Sequence, residues 1–129
     1  MSAEKHAEKH AEKQSLGRWG EGLAAGYLAG KGYQVLEQNL RTPYGEIDLI
    51  AQRGACLVFV EVKTRTSLSF GYPETGLTPK KQAHLRAAAE WYLQSRPDLE
   101  LDWQMDVIAI RRPVGSGRRE IVHFENAFS

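Results

Sequence analysis

Carboxylates and a lysine interrupt two apolar segments in the middle of the chain. Asp48 lies within residues 45–50, and Glu61 and Lys63 lie within residues 57–63. Both segments alternate with period two around a short glycine-containing stretch, which predicts an antiparallel hairpin. Carboxylates held opposite each other on a hairpin repel unless a cation neutralises them, and a divalent metal ion or Lys63 could do so.

Burial determines the register that we expect for this hairpin. If Asp48 lies opposite Glu61, one face of the hairpin is wholly apolar, and it carries Ile47, Leu49, Ala51, Val58, Val60 and Val62. The other face then carries Glu46, Asp48, Ile50, Phe59, Glu61 and Lys63. A slip by one residue would mix charges into the apolar face, so burial favours the register that clusters the acids. In this register Glu46 lies opposite Lys63 and could hold it through a cross-strand ion pair.

Clustered carboxylate oxygens suit hard cations such as Mg²⁺, which proteins often hold with one or two carboxylates, waters and substrate phosphates. Attack of an activated water on phosphorus is the chemistry that such a site supports. The residues therefore indicate a metal-dependent hydrolytic site as one interpretation of the hairpin.

Asp48 followed by Glu61-x-Lys63 resembles the catalytic core of the PD-(D/E)xK nucleases, although Ile47 stands where that pattern has proline. More narrowly, the chain resembles the YraN-type family, small bacterial relatives of archaeal Holliday junction resolvases. The resemblance spans roughly residues 15 to 110. Its segments are Gly17-x-x-Gly20-Glu21, Lys31-Gly32-Tyr33, Asn39-x-Arg41, residues 45–50, residues 59–65, Phe70-Gly71-x-Pro73 and Lys81-Gln82.

The resemblance implies a fold, a site and a cofactor. The expected fold is α/β (α+β), with a restriction-endonuclease-like core in which a central mixed five-stranded sheet is flanked by helices. Asp48, Glu61 and the backbone carbonyl of Val62 would ligate Mg²⁺ or Mn²⁺, and Lys63 would orient or deprotonate the attacking water. Glu21 would complete the acidic cluster as a further metal ligand or catalytic residue. Related resolvases are symmetric dimers, so a homodimer is expected.

Glu21 lies on a predicted helix from Leu16 to about Gly30. At 100° per residue Glu21 points toward the packing face of this helix, close to Leu28, so the acid is either part of the site or buried in an ion pair with Arg18 or Lys63. The helix also contains several glycines, which predicts a close approach to another element.

Residues 3–14 repeat the unit Ala-Glu-Lys-His, which stacks like charges four residues apart. This pattern predicts that residues 1–14 form a flexible, charged extension and that residues 15–129 form a single domain. The expected strands are residues 33–41, 46–51, 57–65, 103–110 and 120–124. Thr78-Pro79 is a helix-start signal, and it predicts a second helix that ends near Ser95.

Basic residues are candidates for contacts with nucleic acid, and DNA is the expected partner. Lys80 and Lys81 lie in the first turn of the second helix, where the helix dipole also favours phosphate. The other candidates are Arg65, Arg111 and Arg112, and simple solvation of these charges is the alternative. In the loop between the third strand and the second helix, Phe70 and Tyr72 could stack on unpaired bases or pack locally.

Composition sets broad limits. The chain has 129 residues, 42% hydrophobic and 26% charged, which is typical of one globular domain. The longest apolar run is far shorter than a membrane span, which predicts a cytoplasmic protein without membrane partners. Cys56 is the single cysteine, so we expect it to be packed and inert. Asp106, within an apolar strand, could neighbour the site, but a structural role is favoured.

The primary hypothesis is metal-dependent hydrolysis of phosphodiesters in DNA, with branched or flapped DNA as candidate substrates. One alternative is a non-catalytic nucleic-acid-binding or assembly protein that retains the nuclease fold. Another is chemistry on a small phosphorylated metabolite, which the lack of a glycine-rich phosphate motif disfavours.

Overall fold

A computed structural model of the chain describes residues 3–65, 77–98, 100–111 and 117–128, with only the backbone described for residues 3–14. The described residues form two helices and five strands. In chain order these are α1 (Ala3–Gly30), β1 (Gln34–Thr42), β2 (Gly45–Arg53), β3 (Cys56–Arg65), α2 (Pro79–Gln94), β4 (Asp102–Arg111) and β5 (Glu120–Phe128).

The strands form one sheet in the order β1-β2-β3-β4-β5. Strands β3 and β4 are parallel, whereas the other neighbouring pairs are antiparallel. A parallel pair needs a long crossover, and the segment containing α2 provides it. This mixed α+β fold, with helices flanking a five-stranded sheet, confirms the predicted fold class and is consistent with a restriction-endonuclease-like core.

The central strands β2, β3 and β4 are buried on both faces of the sheet. Under α1 lies a cluster that includes Ala24, Leu28, Tyr33, Leu49, Ala51, Val58, Val60, Ile108 and Ile110. Under α2 lies a second cluster, made of Ile47, Ile50, Leu57, Phe59, Leu85, Ala88, Ala89, Tyr92 and Met105. A helix on each side explains why the central strands are nearly continuous apolar sequence.

The structure corrects the predicted division of the hairpin into one apolar and one charged face. Ile50 and Phe59, which the prediction places beside the charged residues, pack under α2. Ile47 also joins the α2 cluster, although Leu49, two residues later, lies under α1. The alternation of side chains is therefore broken at Asp48, the residue between them.

The predicted register of the hairpin is present from Leu49↔Val60 to Arg53↔Cys56. The paired ladder stops at Leu49↔Val60, one step before Asp48 would face Glu61. Beyond this point the backbone N–H of Val62 donates to the side chain of Asp48, with a distance of 2.8 Å from N to Oδ2. Strands β2 and β3 thus separate at Asp48, and its carboxylate substitutes for the missing strand backbone.

Two boundaries differ from the sequence prediction. Helix α1 begins at Ala3 rather than Leu16, because alanine, glutamate, lysine and glutamine are strong helix formers and their summed propensity exceeds the small like-charge repulsion. Strand β5 continues to Phe128 because a register shift near Asn126, whose φ is 49°, lets Phe128 pair with Met105. Whether residues 1–14 are dispensable to the domain stays a prediction.

Helix α2 begins where the sequence indicates. The hydroxyl of Thr78 accepts a hydrogen bond from the backbone N–H of Lys81 at 3.1 Å, and Pro79 occupies the first helical position. The helix ends at Gln94, and Ser95 caps its carboxyl end. Because the cap fixes the first turn of α2, it also fixes where Lys81 enters the site.

Asp106 has a structural role. Its buried carboxylate contacts His123 Nε2 at 2.7 Å and accepts hydrogen bonds from the Asn126 N–H and the Gln104 side-chain amide. Cys56 packs against the edge of the α1-side cluster. Within the described parts of the chain, no helix combines the length and apolar character that a bilayer crossing requires.

Candidate metal centre

The candidate site lies at the point where β2 and β3 separate. Asp48 stands in this gap, held by the Val62 N–H. Its neighbours come from both layers of the fold, because α1 packs on one face of the sheet and α2 on the other. Where the ladder pairing stops, side chains from both helical layers therefore approach Asp48, namely Glu21 from α1 and Lys81 from α2.

Glu21 approaches this gap from α1. The preceding residue, Gly20, lies so close to β3 that a Cβ atom there would overlap Oγ1 of Thr64. The predicted close approach of the glycine-rich helix is confirmed at this position. Among the described residues outside the local helix backbone, a Cβ atom added at Gly22 or Gly26 would have no neighbour within 4 Å, so the described structure gives no such packing reason for those glycines.

Three carboxylates converge on the α1 side of the gap. Glu21, Glu46 and Asp48 each offer an oxygen atom, and these atoms all lie within 4.8 Å of one another. Oε2 of Glu21 is buried and has no hydrogen-bond partner among the described residues. Burial raises the pKa of Glu21, the charge of Asp48 raises it further, and a hydrogen bond from the side chain of Asn39 opposes both.

Glu61 approaches from the α2 side and is only 9% exposed. Its Oε2 lies 3.4 Å from Nζ of Lys81, in the first turn of α2. Burial raises the pKa of Asp48 to about 8, and a hydrogen bond with Glu61 and the charge of Glu61 act in the same direction. The Val62 N–H and Lys81 oppose this rise. Near neutral pH without a metal ion, the protonated form of Asp48 is therefore favoured, and it can hydrogen-bond with Glu61.

Lys63 follows Glu61 by two residues on β3 and so projects from the same face of the strand. Burial lowers the pKa of Lys63, and the nearby charges of Arg65 and Lys81 lower it further, while Glu61 opposes them. The ammonium is thus easier to deprotonate than that of an exposed lysine.

The donor set fits a hard divalent cation. It consists of carboxylate oxygens, which Mg²⁺ and Mn²⁺ prefer, and it contains the buried Oε2 of Glu21, which lacks a protein partner in the described residues. A cation would also remove the mutual repulsion of these acids. The assignments of Glu21, Asp48, Glu61 and the Val62 carbonyl as ligands, and of Lys63 as a catalytic residue, stay predictions.

The structure brings together only some of the residues that are predicted to contact nucleic acid. Arg65 and Arg111 are register partners at the ends of the parallel strands β3 and β4. Arg111, however, forms an ion pair with Glu120. Lys80 is exposed at the start of α2, beside the Lys81 that contacts Glu61.

Three residues predicted to contact nucleic acid lie outside the described residues: Arg112, Phe70 and Tyr72. Their roles stay predictions.

Sequence reasoning misses two residues of the site. The predicted register pairs Glu46 with Lys63, but the structure brings the Glu46 carboxylate to Glu21 and Asp48. Asn39 enters the sequence prediction only as part of a motif, yet it contacts Glu21. An asparagine inside a strand is a usable signal, because strands are depleted in asparagine and the residue tolerates left-handed backbone conformations.

Comparison with known proteins places the chain in a family. The family model described as "Uncharacterised protein family UPF0102" matches residues 20–110. A UPF0102 protein of Syntrophotalea carbinolica is 47% identical over 114 residues, covering 88% of this chain and 91% of that protein. A UPF0102 protein of Syntrophomonas wolfei is 48% identical over 115 residues, covering 89% of this chain and 98% of the relative.

A third relative, the UPF0102 protein THEYE_A1950 of Thermodesulfovibrio yellowstonii, is 46% identical over 113 residues, with coverage of 88% and 95%. The matched range contains the four residues that we assign to catalysis: Glu21, Asp48, Glu61 and Lys63. These matches confirm the YraN-type resemblance at the level of the family. The chain therefore belongs to the uncharacterised protein family UPF0102.

Proposed function

We propose that this protein is a metal-dependent endonuclease-like protein that hydrolyses phosphodiester bonds in DNA, with branched or flapped DNA as candidate substrates. One observation carries the proposal. Acids from α1, β2 and β3 meet at the gap between β2 and β3, next to a lysine of lowered pKa. A purely structural role gives no reason to gather these acids where the sheet loses its own hydrogen bonds.

The metal ion would be held by Asp48 and Glu61, with Glu21 and the Val62 carbonyl completing the set. Glu46 lies close enough to Glu21 and Asp48 to contribute a further oxygen. When bound, Mg²⁺ or Mn²⁺ supplies positive charge that stabilises the negative charge developing on the phosphate.

Lys63 supports the proton transfer that hydrolysis requires. Because burial lowers the pKa of Lys63, its ammonium loses a proton more readily than that of an exposed lysine, and the neutral Nζ could then accept a proton from the attacking water. In the protonated form the same atom can stabilise charge on the phosphate oxygens. Both roles depend on Lys63 lying on the same face of β3 as Glu61.

Lys81 supports phosphate binding. Without a cation, its ammonium pairs with Glu61. Occupation of the site by a metal ion would satisfy Glu61 and leave Lys81 available to a phosphate at the amino-terminal end of α2, where backbone N–H groups also favour an anion.

A second candidate function is non-catalytic binding of nucleic acid. The ion pair between Lys81 and Glu61, together with the raised pKa of Asp48, reduces the negative charge of the acidic cluster without any metal ion. A protein that retained this fold only for binding or assembly would need such internal neutralisation.

The test is to incubate the purified protein with Mg²⁺ or Mn²⁺ and with branched, flapped, single-stranded and duplex DNA. We expect metal-dependent cleavage that Asp48→Asn and Lys63→Ala each reduce by at least about 100-fold, because the first substitution removes a metal ligand and the second removes the general acid-base group. Asp98→Asn, an exposed acid beyond α2, is the matched control and should cleave normally. Binding of DNA without cleavage by any metal would favour the second candidate, and full cleavage by Asp48→Asn would refute the assigned roles.

A further inference from the structure

We propose that Asn39 is a positioning residue that holds the carboxylate of Glu21 beside Asp48, an inference that rests on the proposed metal-dependent function. Asn39 lies on β1, the strand next to β2, and it makes no contribution to the acidic donor set itself. Two separate observations support this role. One is the backbone conformation of Asn39 beside Asp48, and the other is the interaction of its side chain with Glu21.

The backbone of Asn39 has an unusual conformation for a strand. Its φ is 52°, and among the described residues only Asn126 shares a positive φ without being glycine. The left-handed region is unfavourable for most residues because the Cβ atom crowds the backbone carbonyl, whereas asparagine tolerates it. The register of β1 with β2 includes Gln38↔Leu49 and Leu40↔Ile47, and it omits the step between them, where Asn39 would face Asp48.

The missing pair between Asn39 and Asp48 means that β1 is distorted beside Asp48. This is the same residue at which β2 and β3 separate. On one side of β2 the ladder is interrupted at Asn39, and on the other side it ends at Leu49↔Val60. Asp48 is therefore outside regular strand pairing on both sides. The left-handed backbone of Asn39 therefore lies beside Asp48, and a carboxylate oxygen of Asp48 is within 4.8 Å of one of Glu21.

The side-chain amide of Asn39 lies close enough to the Glu21 carboxylate to act on it as a hydrogen-bond donor, which opposes the rise of the Glu21 pKa. Oε2 of Glu21 nevertheless has no partner among the described residues, although it is buried. The amide thus fixes the carboxylate while one oxygen is left for a ligand. This is the usual arrangement in metal sites, where a neighbouring side chain orients the ligating group.

Asparagine combines two properties that this position requires. Glycine would adopt the same φ but would lose the amide, and a larger amide such as glutamine would not tolerate the left-handed backbone as well. The substitution Asn39→Gly therefore removes the contact with Glu21 and leaves the backbone conformation accessible. Asn126→Gly is a matched control, since Asn126 has a φ of 49° and lies on β5, where its N–H bonds to Asp106.

The first experiment measures Mn²⁺ binding by calorimetry for the wild type and the two glycine variants, with circular dichroism to verify folding. We expect Asn39→Gly to weaken Mn²⁺ binding about 10- to 100-fold, the usual effect of removing a group that orients a metal ligand. Asn126→Gly should bind as the wild type does. In the cleavage assay, raising Mn²⁺ by the same factor should restore the rate of Asn39→Gly, which a merely structural defect would not allow.

The second experiment needs no metal ion. Urea midpoints are compared for Asn39→Gly, Glu21→Ala and the double variant, and separately for Asn126→Gly combined with Glu21→Ala. We expect the midpoint shifts of Asn39→Gly and Glu21→Ala to be non-additive, because either substitution alone removes the shared hydrogen bond. The shifts of the control pair should add.

The outcomes separate this inference from the proposed function. Additive shifts for Asn39→Gly and Glu21→Ala, unchanged Mn²⁺ affinity, or loss of folding by Asn39→Gly while Asn126→Gly folds would each overturn the positioning role. If the wild type binds no Mn²⁺ and cleaves no DNA, the proposed function fails, and the urea comparison still decides whether Asn39 holds Glu21.

Discussion

Replacing Asp48 with asparagine should stabilise the metal-free protein. Burial and the neighbouring Glu61 raise the pKa of Asp48 from 3.8 to about 8, so the folded protein resists ionising this acid. Asparagine is neutral at every pH, has the same shape, and its carbonyl can still accept the hydrogen bond from the Val62 N–H. The substitution therefore removes the electrostatic cost and retains the packing.

The size of the effect follows from the two pKa values. Because the folded pKa is raised, the favourable contribution of protonated Asp48 is fully present below about pH 3.8 and is lost as the pH rises toward 8. Each pKa unit corresponds to about 1.4 kcal/mol, which gives a ceiling of about 4 kcal/mol at pH 7. Since Glu61 contributes to this raised pKa, we expect a gain of about 2 to 4 kcal/mol for Asp48→Asn at pH 7, or roughly 5 to 15 °C in melting temperature.

The assay is urea denaturation in the presence of a chelator between pH 4 and pH 9. The free energies of unfolding of the wild type and Asp48→Asn should nearly coincide at pH 4, diverge between pH 4 and pH 8, and remain separated by a constant amount above pH 8. Asp98→Asn should follow the wild type throughout, because Asp98 is exposed. Parallel curves for the wild type and Asp48→Asn, or a variant less stable at pH 8, would refute the reasoning.

Two further predictions concern α1. Gly20→Ala should destabilise the protein by about 1 to 2 kcal/mol, because the overlap of the new methyl group with Thr64 exceeds the gain in helix propensity, and Thr64→Ala should recover part of this loss in thermal melts. Unchanged melting of Gly20→Ala would contradict the close contact. Deleting residues 1–14 should leave the melting temperature within a few degrees of the wild type, and a large decrease would show that this part of α1 stabilises the domain.

Local patterns in the sequence predict much of the fold. The register of the β2–β3 hairpin follows from the alternation of Leu49, Ala51, Val58 and Val60, because burial of one face tolerates no slip. The start of α2 follows from Thr78-Pro79, because capping depends on only a few adjacent residues. In both cases the determining interactions are close in the sequence.

Features that depend on distant elements could not be predicted in this way. Packing of α2 against Ile50 and Phe59 buries the second face of the hairpin, and nothing within the hairpin indicates it. The carboxylate of Glu46 joins Glu21 and Asp48 because the alternation of side chains breaks at Asp48, which regular strand geometry could not indicate. The left-handed backbone of Asn39 likewise depends on the neighbouring strand and helix.

The close packing of Gly20 against Thr64 determines how the acidic cluster would respond to heat or denaturant. Glu21 is the one acid of the cluster that a helix contributes, and it reaches the cluster only while α1 is docked on β3 at this contact. Partial opening that lifts α1 away would remove Glu21 and leave the strand-borne acids in place. Heat or mild denaturant would then separate the acids of the cluster before the sheet itself melts.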